Sequence, residues 1–134
     1  MKISDFDSTS QVNTEKQLED VLMRRFNLDG ANVNSFWLGP GDDAPPGAAY
    51  PLMNIMVRDM LAYMWFTPEE GCAGYHSYDS PIWIDPEGVT TFFLNREPHQ
   101  IYNSDVVTFV QALHAAKEFF HAPELPKSIQ WADL

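Results

Sequence analysis

The stretch Leu52-Met53-Asn54-Ile55-Met56-Val57-Arg58-Asp59-Met60-Leu61-Ala62-Tyr63-Met64-Trp65-Phe66 decides the fold. Read as one helix it would make the protein α-rich, and methionine is a good helix former. Read as two runs, 52–57 and 60–66, hinged at Arg58-Asp59, it is a β-hairpin whose second strand Pro68 closes. Each run has the length of a strand, and Asn54, Arg58 and Asp59 interrupt the apolar character a single helix would need. The hairpin is the expected reading, and the helix its competitor.

Working outward, Ser35-Phe36-Trp37-Leu38 is aromatic and bounded by Gly39-Pro40-Gly41, which predicts a strand running into a loop. Residues 39–51 carry Pro40, Pro45, Pro46 and Pro51, which excludes helix and central strand. Further upstream, Thr14-Glu15-Lys16-Gln17 has the form of a capping box. Leu18, Val21, Leu22 and Phe26 follow at helical spacing, so a helix is expected over 15–27, stopped by Asp29-Gly30. Residues 2–7 are expected to hold a short strand. Downstream, strands are expected near 75–78, over 89–94 and near 100–102, with Glu87-Gly88 as a turn. The last helix should open at Ser104 and present Val106, Phe109, Val110, Leu113, Ala116 and Phe120 on one face. Pro123 and Pro126 end it, and 128–131 reads as a closing strand. The order predicts a single α+β domain, two main helices packed on a mostly antiparallel β-sheet.

The 134 residues carry 8 basic and 19 acidic side chains, a formal charge of −11. With 45% hydrophobic residues the chain has a core to bury, which excludes wholesale disorder. The acidity opposes binding to nucleic acid or an anionic membrane and favours a basic protein partner. Cys72 is the single cysteine and has no intramolecular disulfide partner. The first residues lack the apolar core of a signal peptide, and no apolar run is long enough to span a bilayer. A cytoplasmic protein is expected.

Chemistry-bearing motifs are sparse. His76, His99, His114 and His121 lie in different elements or at spacings unsuited to a zinc set, so no metal and no cofactor are expected. Cys72, four residues before His76, leaves open a small acidic enzyme or ligand-binding protein as an alternative to a protein without chemistry. Gly39-Pro40-Gly41 is followed by acids, the wrong sign for cradling phosphate. The charge itself is unevenly spread: between Trp37 and Thr91 eight acids face Arg58 alone. Tyrosines and tryptophans are interleaved with them. Such a mixture is what an anchored, electrostatically steered interface needs. The candidate contact residues are Asp42, Asp43, Glu69, Glu70, Tyr75, Tyr78, Asp79, Trp83, Asp85 and Glu87, with Trp37 and Trp65 assigned to the core. An acidic adaptor for some other protein partner is a further alternative.

One resemblance sharpens this. Pro98, Ser104-Asp105-Val106-Val107 opening a helix, Glu118-Phe119-Phe120 near its end, and Pro126 followed by Ile129-Gln130-Trp131 resemble immunity protein family 1 of bacterial polymorphic toxin systems. The motif covers about residues 98–131, while the order of elements matches over most of the chain. Members often link the helix to the last strand through Gly-x-x-Pro; here His121-Ala122-Pro123-Glu124-Leu125-Pro126 is longer and lacks the glycine. The resemblance implies a protein that binds a co-encoded toxin domain in the producer's cytoplasm and blocks it. Such toxins often act on nucleic acids, deaminases among them. Trp131 is expected to be a structural plug and not a toxin contact, since its neighbours belong to an apolar closing strand.

Overall fold

The computed structural model describes all 134 residues. The decisive stretch is a hairpin. Strand β5 (Leu52–Arg58) pairs antiparallel with β6 (Leu61–Thr67). The two-residue turn is Asp59-Met60, one position later than the expected hinge. Asp59 there has φ 52°, and its carboxylate accepts the Asn32 amide.

These strands sit in the middle of a sheet. Its remaining members are β1 (Lys2–Ser4), β2 (Thr9–Gln11), β3 (Phe26–Leu28), β4 (Ala31–Gly39), β7 (Tyr75–Ser77), β10 (Val107–Thr108) and β11 (Trp131–Asp133). The main order is β11-β7-β6-β5-β4-β1-β2, with β10 against β6 and β3 against β4, every pair antiparallel. Two helices, α1 (Glu15–Leu22) and α2 (Phe109–His121), cover one face. Strands β8 (Val89–Leu94) and β9 (Glu97–Tyr102) form a separate two-stranded ribbon. The α+β architecture is therefore as the sequence predicts.

The core lies between helices and sheet. Phe36, Leu38, Met53, Ile55, Val57, Ala62, Met64 and Phe66 point toward Leu18, Val21, Leu22, Phe109, Ala112 and Phe119. On the opposite face Met56 packs with Phe92 and Val106, and Val33 with Phe93. From Met53 to Val57 every β5 side chain is thus buried. A strand covered on both faces shows a continuous apolar run instead of an alternating one. That double cover is why the stretch could be read as helix.

Several boundaries depart from expectation. The capping box forms, with Thr14 Oγ1 accepting the Gln17 amide and the Gln17 side chain returning to the Thr14 amide. Helix α1 nevertheless ends at Leu22, not at residue 27. Asp29-Gly30, both at positive φ, is not a helix stop but the turn joining β3 to β4, the hairpin signature of that dipeptide. Ser104 does not cap α2. It lies in a 3-10 turn, Asn103–Asp105, after which Val107 and Thr108 pair with β6. The β-branched valines go extended, and Thr108 caps through a second box with Gln111. The buried face of α2 is accordingly Phe109, Ala112, Ala115, Ala116 and Phe119, while Val110 faces solvent.

The C-terminal motif has a structural meaning. The Glu118 carboxylate accepts the Lys127 and Ser128 amides, turning the chain back after α2. Trp131 is half-buried, packs on Phe66 at 6.4 Å, and donates its indole N–H to the Pro126 carbonyl at 2.8 Å. Glu118 and Trp131, two of the residues that carry the resemblance, therefore hold the fold.

Candidate partner-binding surface

The ribbon stands upright on the outer sheet face. Both Phe92 and Phe93 are buried though they project to opposite sides of β8, and Arg58 donates to the Thr91 carbonyl from the sheet below. Strand β8 is therefore the base and β9, exposed along nearly its whole length, the crest. The connecting turn Asn95-Arg96 has φ of 49° and 73°, as a two-residue type I′ turn requires. Positive φ at arginine is uncommon and needs support. Arg96 lies over the rings of Phe6 and Phe26 (5.1 and 5.6 Å to the centroids) and donates to the Phe6 carbonyl. The Asn95 amide donates to Ser35 Oγ.

At the other end Asn103 is the fastener. Its buried amide nitrogen donates to the Asp85 carbonyl at 2.8 Å, and its side-chain oxygen accepts from Thr90 Oγ1 at 2.6 Å. Its backbone N–H reaches the Gly88 carbonyl. Residues 81–88 fold as consecutive turns held there, with Ile84 packed into the Met56–Phe92 cluster. Proline at 81 and 86 keeps this segment out of the sheet. Ile82 is fully exposed, Trp83 is 65% exposed and Tyr102 70%; Tyr78 and Val89 are also exposed. Val89 and Tyr102 pair across the ribbon at the end that Asn103 ties to the turns bearing Ile82 and Trp83, and uncovered large apolar side chains brought together in this way are typical of interaction surfaces.

Acids accompany them. Residues 78–105 carry Asp79, Asp85, Glu87, Glu97 and Asp105 against Arg96 alone, whose guanidinium is engaged on Phe6 and Phe26. Asp79 accepts the Gln130 amide and Asp85 the Glu87 amide, so each spends one oxygen shaping its loop. Below, His76 stacks on Tyr63, with its Nδ1 2.9 Å from the Ser77 carbonyl and 3.7 Å from the Asp105 carboxylate. Burial, aided by Asp105, pushes the Tyr63 phenol up to about 12.

Nine of the ten candidate residues fall into two groups, and Tyr75 stands apart in β7. Tyr78, Asp79, Trp83, Asp85 and Glu87 belong to the segment between β7 and the ribbon. Asp42, Asp43, Glu69 and Glu70 lie at the opposite end of the sheet. Strand β4 ends at Gly39 and β6 at Thr67, so antiparallel pairing places loops 40–51 and 68–74 together there. Asp42 also pairs with Lys2 at 3.1 Å. Tyr75 is half-buried against Phe66 and is no free anchor. Gly74 precedes it at φ 93°, where a Cβ would sit 2.2 Å from the Phe66 carbonyl oxygen, so only glycine fits. Trp65, assigned to the core, is instead partly exposed on the outer face, with its indole N–H on the Ala73 carbonyl. Alternation in β6 puts it opposite Met64 and Phe66. Cys72 is half-buried in the 68–74 loop, and no hydrogen bond joins it to His76.

Sequence reasoning missed Ile82, Val89, Tyr102 and the fastener Asn103. The proline-bounded Ile82-Trp83 pair carried the signal, since a segment that cannot enter a sheet leaves its apolar side chains outside. Compared with known proteins, the chain matches no family model and no curated protein.

Proposed function

We propose that this protein is an immunity protein that binds a co-encoded toxin domain in the producer's cytoplasm and occludes its cleft, with no chemistry of its own. The observation that carries this is the uncovered Trp83, Ile82, Tyr102 and Val89 at the Asn103-fastened end of the ribbon, with exposed Tyr78 and the acids Asp79, Asp85 and Glu87 in the segment that leads to it. Aromatic side chains anchor a protein interface, and acids around them select a basic surface. A toxin acting on nucleic acid needs a basic cleft, which this surface complements. The C-terminal resemblance supports the same reading.

The test is co-expression with the toxin domain encoded beside the gene, followed by kinetics of the purified pair. Protection from toxicity and a stable complex are expected. Association should slow as salt rises, because the screening length falls from ~10 Å at 0.1 M to ~3 Å at 1 M. Asp85→Lys with Glu87→Lys should slow association at least tenfold, and Asp42→Lys with Asp43→Lys far less. Absence of a complex would refute the immunity reading; equal effects of the two double variants would refute the choice of face.

A further inference from the structure

We infer that the crest strand β9 is an open docking edge that accepts an extended, basic segment of the partner as an added β-strand. This rests on the proposed function for the partner's identity but on backbone geometry for the mode of binding. In an antiparallel pair, alternate residues turn both backbone groups toward the neighbour or away from it. The two-residue turn makes Leu94 and Glu97 an inward-bonding pair, so Phe92/His99 and Thr90/Ile101 are too. The Asn103 amide on the Gly88 carbonyl continues this alternation. Pro98, Gln100 and Tyr102 therefore turn their backbone groups away from β8.

Two observations agree with that assignment. Thr91, the partner of Gln100, has its carbonyl free for Arg58 on the far side of β8. Pro98, which has no N–H to give, occupies an outward position where none is used. No strand pairs with the outer edge of β9. Among the other strand edges without a partner, β2, β3 and β11 are three residues long and β10 two, whereas β9 has six; β8, also six long, turns its far side to the sheet, where Arg58 takes the Thr91 carbonyl. Long exposed edges are normally blunted by charge or proline. Here Glu97 and Pro98 blunt only the half next to the turn. The half at Gln100 and Tyr102 is open, and it adjoins the exposed Val89 and the Asn103-anchored turns that bear Trp83.

The occupant follows from charge. A second copy would bring another −11 chain against the same acidic ribbon. A strand with alternate lysine or arginine side chains meets Asp85, Glu87 and Glu97 instead. Backbone hydrogen bonds would supply affinity and the flanking side chains specificity, as in other strand-addition complexes.

Amide hydrogen exchange with NMR detection tests this in the full chain. In the free protein, Gln100 and Tyr102 amides should exchange at least tenfold faster than His99 and Ile101; the reverse pattern would overturn the proposal. Adding the toxin domain should protect Gln100 and Tyr102 at least tenfold. Gln100→Pro should weaken toxin binding at least tenfold with an unchanged melting temperature, while Gln100→Ala stays within threefold. If Gln100→Pro fails to fold, protection in the unaltered chain decides. If the toxin domain does not bind, the immunity reading fails separately. A peptide alternating lysine and valine, at millimolar concentration, then serves as probe. Protection at Gln100 and Tyr102 by that peptide would uphold the edge; no protection would overturn it.

Discussion

Replacing Asn103 by alanine isolates the fastener between the ribbon and the 81–88 turns. Two side-chain hydrogen bonds are lost, to the Asp85 carbonyl and from Thr90 Oγ1. A typical hydrogen bond contributes about 1 kcal/mol net, and a part-buried group left unpaired costs about 1–3 kcal/mol. Asp85 is exposed, so water can replace its partner; the Thr90 hydroxyl is half-buried and recovers less. The expected loss is therefore about 2–3 kcal/mol, out of the ~5–15 kcal/mol that holds a domain. With a urea slope of ~1–3 kcal/mol/M, the unfolding midpoint should fall by about 1–2 M. Thr90→Val alone should cost about 1–2 kcal/mol, since it strands the Asn103 oxygen. Because the two residues share a bond, the double variant should lose about 1 kcal/mol less than the sum. Urea melts of the four proteins measure this. A loss below ~0.5 kcal/mol for Asn103→Ala, or strict additivity in the cycle, would refute the fastener role.

Trp83→Ala should leave stability within ~0.5 kcal/mol, since the side chain is largely exposed, yet weaken the proposed toxin complex by ~2 kcal/mol or more through faster dissociation. Calorimetry on both processes checks it; global unfolding would return Trp83 to the core. On alkaline titration followed at 295 nm, one of the five tyrosines should ionise late, near 12, and Tyr63→Phe should remove that step. Since the half-buried phenol's value is raised from 10, its contribution to stability is intact below pH 10 and declines as pH rises toward 12. Glu15 gives the opposite sign. Its hydrogen bond from His121, together with Lys117, holds the carboxyl below its ordinary 4.5, so the α1–α2 contact it makes is present above pH 4.5 and lost as pH falls through the lowered value. Glu15→Gln should flatten the acid limb of a stability-against-pH curve.

The parts of the fold legible in the sequence are those set by local chemistry: the Thr14 capping box, the strand over 89–94, and prolines barring residues 40–51 from the sheet. What was illegible depends on distant partners. Helix α1 stops at Leu22 because Phe26 is drawn off to stack on Phe6, a contact twenty residues of spacing conceals. Val107 pairs with Ala62 before α2 can begin, so the helix face is rotated from the expected stripe. Within the candidate surface, composition found Trp83, Tyr78 and their acids. It also grouped them with Asp42, Asp43, Glu69 and Glu70, because linear density of charge carries no information about which end of a sheet a loop occupies.

The supports under Asn95-Arg96 have a consequence for how any binding map of this molecule reads. Phe6, Phe26 and Ser35 are far from the ribbon in sequence, and none lies on the exposed patch, yet they hold its tip through Arg96 and Asn95. A two-stranded ribbon is marginal on its own. A saturation scan scored by survival of the proposed toxin would therefore register hits at these three positions. Those hits would trace a foundation and not a footprint. Substitutions such as Phe6→Leu, which trim the cation's platform without emptying the core, would separate the two by lowering affinity while every contacting side chain remains in place.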